Sequence, residues 1–287
     1  MLHYKFFYSV RVIQIFALLL LSSATLAQPS ARMGISPNRY QISFDERGTQ
    51  TQSLMVQNLT NEPMTVRLSV GTWELDENNR LLEIPPSENS LDRSIVVNPL
   101  QITVPPGSPQ TFRWTIIPRL KPVDGEHRAI IYIEELLPEV NESNEGARVR
   151  MKMRYGLPIY AHVGERVLSA ELNAVNVDRD NNRVFLDITN TGNTHGRMGG
   201  SYGVWPVAQF PGTEEALRQI RRAVNRDTQP ENFLLGSMPG TVILPENRRS
   251  LPLDIVVGQP GDYVVQLDAE FAGLEITDHI EITEPDS

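Results

Sequence analysis

The feature that most limits how this chain can fold is a series of short alternating segments between residues 35 and 136. Apolar and polar side chains alternate in most of them, as in a strand with one buried and one solvated face. Clusters rich in Gly, Pro, Asn and Asp, which favour turns, separate the segments. The series predicts an antiparallel β-sandwich of the immunoglobulin type. The best strand candidates are residues 40–44, 53–57, 64–70, 95–97, 112–116 and 129–134.

The second half of the chain predicts another sandwich. Residues 166–177 and 183–189 predict two strands joined by a turn, and residues 262–271 and 274–282 predict a closing hairpin. A short internal echo supports a related fold, because residues 54–58 resemble residues 186–190 and each stretch precedes a turn. The chain is therefore predicted to be all-β, with two immunoglobulin-like β-sandwich domains at residues 28–163 and 164–287.

One segment interrupts the β pattern in the second half. Residues 213–224 carry apolar side chains at helical spacing, begin with Thr213 as a predicted cap and have acidic residues in the first turn. They predict a short amphipathic helix inserted in the second domain. Its basic face, which includes Arg218 and Arg222, is interpreted as a solvated face, with an acidic partner as the alternative.

The first 27 residues predict a secretory signal peptide, because Lys5 and Arg11 precede an apolar run that ends in small residues at Ala27. Removing these two cations changes the formal net charge from -9 to -11. An acidic chain lacks the broad basic surface of a nucleic-acid binder. No later stretch has the run of about 20 apolar residues that a permanent membrane anchor needs. The sequence contains no cysteine, which excludes disulfides and thiolate ligands.

A second pattern, at residues 148–155, alternates basic and large apolar side chains. Successive strand side chains point to opposite faces, so one face is cationic and the other apolar. The pattern predicts a strand whose apolar row is completed by something outside the domain, or alternatively a half-buried strand with a solvated basic face. The cations are Arg148, Arg150, Lys152 and Arg154, and the apolar residues are Val149, Met151, Met153 and Tyr155.

Searches for catalytic or metal-binding motifs give no site. The histidines at positions 127, 162, 195 and 279 have no metal-ligand spacing, and no Gly-x-Ser-x-Gly elbow occurs. We therefore predict no enzyme activity and no cofactor. Two alternatives stay open: a secreted two-domain protein that binds carbohydrate or a surface partner, and an exported hydrolase. Carbohydrate binding would need exposed aromatic platforms, but Trp73, Trp114 and Trp205 are predicted to lie in the core.

Several motifs follow one another in a characteristic order. They are the signal peptide, residues 35–44, the turn at 58–63, residues 97–99 and 104–107, residues 125–128, and the Leu157-Pro158 pair that ends the alternating strand. Their order resembles the periplasmic pilus-assembly chaperones of the chaperone–usher pathway, and more closely their archaic branch. The resemblance covers nearly all of residues 33–163 and is weaker in the second domain.

This resemblance implies a chaperone that lends a strand to pilus subunits with an incomplete immunoglobulin-like fold and delivers them to an outer-membrane usher. The lent, or donor, strand would be residues 148–155, with Val149, Met151, Met153 and Tyr155 in the groove of the subunit. The implied location is the periplasm and the implied process is fimbrium biogenesis and cell wall organization. Self-association of the free protein stays open.

The family also implies basic residues that anchor the C-terminal carboxylate of the subunit. Gln41 occupies the position of the first-strand arginine of the P-pilus type, with Arg39 on the same face. The archaic branch instead implies Arg128 as one anchor and Lys152 or Arg154 as the second. Alternatively, Arg128 pairs with Glu126 or Glu134, and Lys152 is solvated.

Overall fold

The computed structural model describes residues 31–137, 152–255 and 261–283. The donor-strand residues Val149 and Met151, the cations Arg148 and Arg150, and the signal peptide lie outside these ranges. Strands of the first half are β1 (Met33–Ser36), β2 (Tyr40–Ser43), β3 (Gln52–Asn58), β4 (Met64–Leu75), β5 (Leu81–Ile84), β6 (Ile95–Asn98), β7 (Gln101–Val104), β8 (Pro109–Ile116), β9 (Gly125–Leu136) and β10 (Arg154–Val163).

These strands form two sheets with the predicted sandwich core between them. One sheet has the order β1-β3-β8-β6, and the other has the order β2-β10-β9-β4, with β5 and β7 both pairing with β4. The segment that starts the fold contributes to both sheets, because β1 is antiparallel to β3 whereas β2 is parallel to β10. Inward side chains of both sheets, such as Leu54, Phe112, Trp114, Ile131 and Ile159, are fully buried, as the alternation predicts.

The second half builds its own core. Its strands are β11 (Ala170–Asp178), β12 (Arg183–Asn190), β13 (Gly196–Arg197), β14 (Gly199–Pro206), β15 (Leu234–Ser237), β16 (Val242–Ile243), β17 (Arg248–Asp254), β18 (Tyr263–Phe271), β19 (Leu274–Ile276) and β20 (His279–Ile282). They form the sheets β11-β12-β17, β13-β16 and β15-β14-β18, the last with β19 and β20 paired to β18. The predicted hairpins at both ends are confirmed, as is the all-β class with two sandwiches.

The predicted helix is helix α1, Thr213–Arg226. It packs Ala216, Ile220 and Ala223 against the stacked rings of Trp205 and Phe233. The prediction that Thr213 caps the helix is wrong, because Gly212 is the N-cap residue and no side chain caps the first turn. A glycine with a φ of 88° reaches this conformation without steric cost. Among the described residues no helix is long and apolar enough to cross a membrane.

The internal echo has a structural basis in two buried asparagines. Asn58 and Asn190 end β3 and β12, and both side chains have 0% exposure. Each amide nitrogen donates to the carbonyl four residues later, at 2.7 and 2.9 Å. It also donates to a distant strand, at Val104 and Ile243 respectively. Each amide oxygen accepts the backbone N–H two residues later. The two sandwiches therefore close the same turn with the same residue.

An apolar cluster joins the two halves. Trp73, Tyr132 and Tyr160 of the first half pack with Leu244 of the second. A polar contact lies nearby, because the buried guanidinium of Arg249 donates to the carbonyl of Leu75 at 3.1 Å and to Asn79 at 3.2 Å. No sheet formed by the described residues crosses Gly164. The domain boundary at about Gly164 stays a prediction.

Candidate functional site

Strand β10 has two neighbours along one half and a single neighbour along the other. It pairs with β9 from Arg154 to Val163, but β2 covers only residues 159–162. Residues 154–158 therefore have no strand on their other edge within the part of the chain that the structure describes. We call residues 154–158 the bare edge. Its backbone groups are available to an added strand.

The apolar row predicted from the sequence continues the core row of the sandwich. Leu157, Ile159 and Ala161 point into the core and have 0% exposure. Side chains alternate along a strand, so Tyr155 and Met153 lie on this same face. Tyr155 is 39% exposed. The row thus leaves the core of its own domain at Tyr155, beside the bare edge.

The basic face of the same strand is already engaged in ion pairs. Lys152 binds the Glu134 carboxylate at 2.5 Å, and Arg67 binds the same carboxylate at 2.9 Å. The Lys152 ammonium and the Arg67 guanidinium lower the pKa of Glu134 to about 2. Arg154 binds Glu83 at 2.7 Å. Both predicted donor-strand anchors therefore have carboxylate partners in the free protein.

Arg154 makes a second contact on this face, because its guanidinium lies 3.6 Å from the centre of the Tyr132 ring. Stacking of a guanidinium on an aromatic ring is favourable electrostatically. The ring also needs Gly71, since a Cβ at that position would approach it to 3.2 Å. The ion pair and the ring together hold Arg154 flat against the sheet.

Arg128, the other predicted anchor, differs from Lys152 and Arg154 because much of its hydrogen-bonding capacity is unused. One terminal nitrogen donates to Glu126 at 3.2 Å, which is one of the two glutamates considered from the sequence. Its Nε is buried and has no partner among the described residues. A guanidinium has five donors in a planar fork that suits a carboxylate. Arg128 can therefore accept another anion without first breaking a close pair.

Arg128 lies in a row of side chains that faces the second sandwich. In the sheet, Tyr160 lies between Arg128 of β9 on one side and Gln41 of β2 on the other. Burial raises the pKa of Tyr160, opposed by the positive charges of nearby arginines. These arginines are Arg197, Arg128 and Arg39. Gln41, at the expected position of the first-strand arginine, thus shares a cationic cleft with Arg39 and Arg128.

The cleft is bridged by a contact between Glu126 and His195. Nδ1 and the backbone N–H of His195 donate to the Glu126 carboxylate, and the Thr194 hydroxyl donates to it at 3.2 Å. The ring of His195 also lies 3.9 Å from the Tyr160 ring and bonds to Gln41 at 2.8 Å. Burial alone would raise the pKa of Glu126, but the hydrogen bonds from His195 lower it below its usual range.

The contact between Glu126 and His195 does not follow from the sequence. The two residues lie 69 positions apart, and His195 shares no motif with the other histidines. One signal was present, because Glu126 and Arg128 alternate along a single strand and so share a face. A cavity of about 160 Å³ adjoins the bridge. Its lining residues are Gln41, Glu126, Tyr160, His162, Arg166, Leu168, Thr194 and His195.

His127, His162 and His279 each bond to a different partner. His127 bonds to the carbonyl of Val123, His162 to that of Glu165, and His279 lies against Thr213. No cluster of three potential metal-ligating side chains exists within the described ranges. The three tryptophans are buried in cores, as predicted, with exposures of 1–3%.

No protein-family model and no curated protein matches the chain. Among solved structures it is similar to the YadV chaperone, with 11% identity, a TM-score of 0.48 and coverage of 88% of this chain and 100% of the other. It is also similar to the CsuC–CsuE chaperone–tip subunit complex of Acinetobacter baumannii, with 15% identity, a TM-score of 0.42 and coverage of 89% and 100%.

A third similar structure is the SafA pilin in complex with the SafB chaperone of Salmonella enterica, with 14% identity, a TM-score of 0.41 and coverage of 90% and 99%. Each of these structures contains a chaperone, and two of them are complexes of a chaperone with a pilus subunit. At such identities and TM-scores the likeness transfers no residue role to this chain.

Proposed function

We propose that this protein is a non-enzymatic periplasmic chaperone that binds pilus subunits by donor-strand complementation and delivers them to an outer-membrane usher. The observation that carries the proposal is the bare edge of β10, where an apolar row leaves its own core beside unpaired backbone. A subunit that lacks a strand would supply the missing neighbour and the missing core. The predicted signal peptide supports the periplasmic location, and the division of the sheets at Gly164 supports the two domains.

Burial of the apolar row supplies enough free energy for such a role. Each large apolar side chain contributes about 1.5–3 kcal/mol when it is fully buried. A row of Val149, Met151, Met153 and Tyr155 would contribute on the order of 6–12 kcal/mol before the cost of ordering the partners is subtracted. Methionine suits several grooves, because its unbranched side chain adapts its shape. Self-association of the free protein through the same edge stays a prediction, which sedimentation can check.

Arg128 is the anchor that we favour for the subunit's C-terminal carboxylate. Its buried Nε has no partner in the part of the chain that the structure describes, while Lys152 and Arg154 already bind Glu134 and Glu83. To anchor the subunit, Lys152 and Arg154 would have to release these glutamates before they could bind the subunit's C-terminal carboxylate. We therefore assign them a secondary role, in which they keep an otherwise apolar strand soluble.

The proposal is tested by co-expression with the exported β-rich subunits encoded beside the gene. The double variant M151D/M153D should fold normally and lose co-purification of the subunit, because two charges cannot enter an apolar groove. The matched control is V96D, since Val96 is 54% exposed on the other sheet. Undiminished capture by M151D/M153D, or a gene without such subunit and usher genes beside it, would contradict the proposal.

A further inference from the structure

Strand β1 lies at one end of the sheet β1-β3-β8-β6, and among the described strands it pairs only with β3. Strand β2, which follows it along the chain, lies at the end of the other sheet and pairs with β10. Because only residues 37–39 separate β1 from β2, the β1 edge and the bare edge lie on the same side of the sandwich, which we call the open side.

An ion pair links the two sheets at this open side. The Arg32 guanidinium donates to both oxygens of Glu135, at 2.7 Å from its terminal nitrogen and 3.2 Å from Nε. Arg32 directly precedes β1, and its carbonyl accepts the N–H of Leu59 at 2.9 Å. Glu135 belongs to β9, and its N–H donates to the carbonyl of Met153 at 2.9 Å. The pair therefore connects the start of β1 to the place where the apolar row emerges.

The position of Glu135 is unusual for a carboxylate. It follows Ile131 and Ile133 on the core face of β9 and is 3% exposed. Only the carboxylate is buried, because the Glu135 side chain is 5% exposed whereas the Arg32 side chain is 43% exposed. Burial of a charge is costly, and replacing such a pair by apolar residues of similar volume is often neutral or stabilising. A bidentate arginine–carboxylate pair also supplies fixed geometry, because both groups are planar and their two bonds are parallel. The pair therefore does more than neutralise a buried carboxylate, because it sets the position of Arg32 relative to β9.

We propose that Arg32 and Glu135 are positioning residues for the partner. Their ion pair holds the β1 edge at a fixed distance from the β10 edge, so that the opening between the sheets keeps the width that the partner's strands require. This inference rests on the proposed function for its purpose, but the effect on β1 is a property of the free protein. Neither residue was predicted as part of the site, because 103 positions separate them.

The experiment separates positioning from stability with the double variant R32L/E135L. The apolar pair should keep the melting temperature of the wild type or raise it. In the free protein, hydrogen exchange of the β1 amides should become at least tenfold faster, while exchange in β12 of the second sandwich stays unchanged. Capture of the subunit encoded beside the gene should weaken by about tenfold, a modest effect on an affinity scale. The single variant R32K keeps the positive charge but loses the planar guanidinium. Its β1 exchange rate and its capture of the subunit should lie between those of the wild type and those of R32L/E135L.

The matched control is D187N. Asp187 lies in β12 of the second sandwich and accepts two bonds from the Arg248 guanidinium, as Glu135 does from Arg32. Its loss should change neither β1 exchange nor capture. Unchanged β1 exchange in R32L/E135L overturns the inference whether or not any subunit binds. Faster exchange with wild-type capture also overturns it. A wild-type protein that captures no subunit contradicts the proposed function instead, and the exchange result then still decides whether the pair positions β1.

Discussion

Both halves of strand β10 pair with β9, and in both the side chains alternate between the core face and the outer face. The halves differ in what covers their second edge. Residues 159–162 lie between β9 and β2, and the core-facing side chains there are fully buried. Among the described strands, residues 154–158 have β9 on one side and no neighbour on the other, and Tyr155 is 39% exposed. The same pattern of side chains therefore stabilises the fold in one half and is left available in the other. Pairing of the edge, rather than side-chain type, separates the structural half from the half for which we propose binding.

The strongest test of this comparison is one truncation in each half. I159A should lower the free energy of unfolding by about 2–5 kcal/mol, because it leaves a cavity in a packed core. Y155A should lower it by less than about 0.5 kcal/mol, as exposed substitutions usually do. Capture should show the reverse order, with Y155A weakened about tenfold or more by the lost apolar burial. If denaturant titrations show equal losses in the free energy of unfolding for I159A and Y155A, the proposed difference between the two halves is wrong.

A second test concerns Arg128, the charged residue beside residues 159–162 of β10. R128A should weaken capture of a subunit with a free C-terminus by about tenfold, because a hydrogen bond to a charged group contributes about 1.5–3 kcal/mol. The fold should persist, since Glu126 keeps its bonds to His195 and Thr194. Titration against the same subunit with one extra C-terminal residue provides the control. If R128A binds both forms as the wild type does, Arg128 is not the anchor.

The smallest effect is expected at the bridge between the halves. The pKa of Glu126 is lowered in the folded protein, so its contribution to stability is complete above the unfolded pKa, near 4.3. The contribution is lost as the pH falls through the lower, folded pKa. E126Q should cost about 1–3 kcal/mol at pH 7, and its deficit should shrink towards pH 3. Melting curves of both proteins from pH 3 to pH 7 check this, and a deficit that is constant with pH would contradict it.

Much of the fold follows from alternation, and the exceptions have local causes. The sequence predicted a strand at 64–70, whereas β4 continues to Leu75. A glycine at position 71 weakens the strand pattern, but here it makes room for the Tyr132 ring. Strands β5 and β7 were not predicted, because each has four residues and prolines follow it closely.

The site was predictable only where it depends on a single strand. Alternation placed Tyr155 and Met153 on one face and the cations on the other, which the structure confirms for residues 152–155. Partners from distant strands were not predictable, since one sequence cannot show that Arg154 meets Glu83 or that Arg32 meets Glu135. The binding role of this strand and the anchoring role of Arg128 stay predictions.

The buried asparagine at the end of β3 has a practical consequence for producing the protein. Asn58, Leu59 and Thr60 form an acceptor sequence for N-linked glycosylation. The atom that would carry the sugar is the amide nitrogen that donates to Glu62 and Val104 in a site with 0% exposure. A glycan attached during secretion by a eukaryotic cell would remove one of these bonds and could not fit inside the turn. Material from yeast or mammalian secretion should therefore be misfolded unless this acceptor is first altered at Thr60.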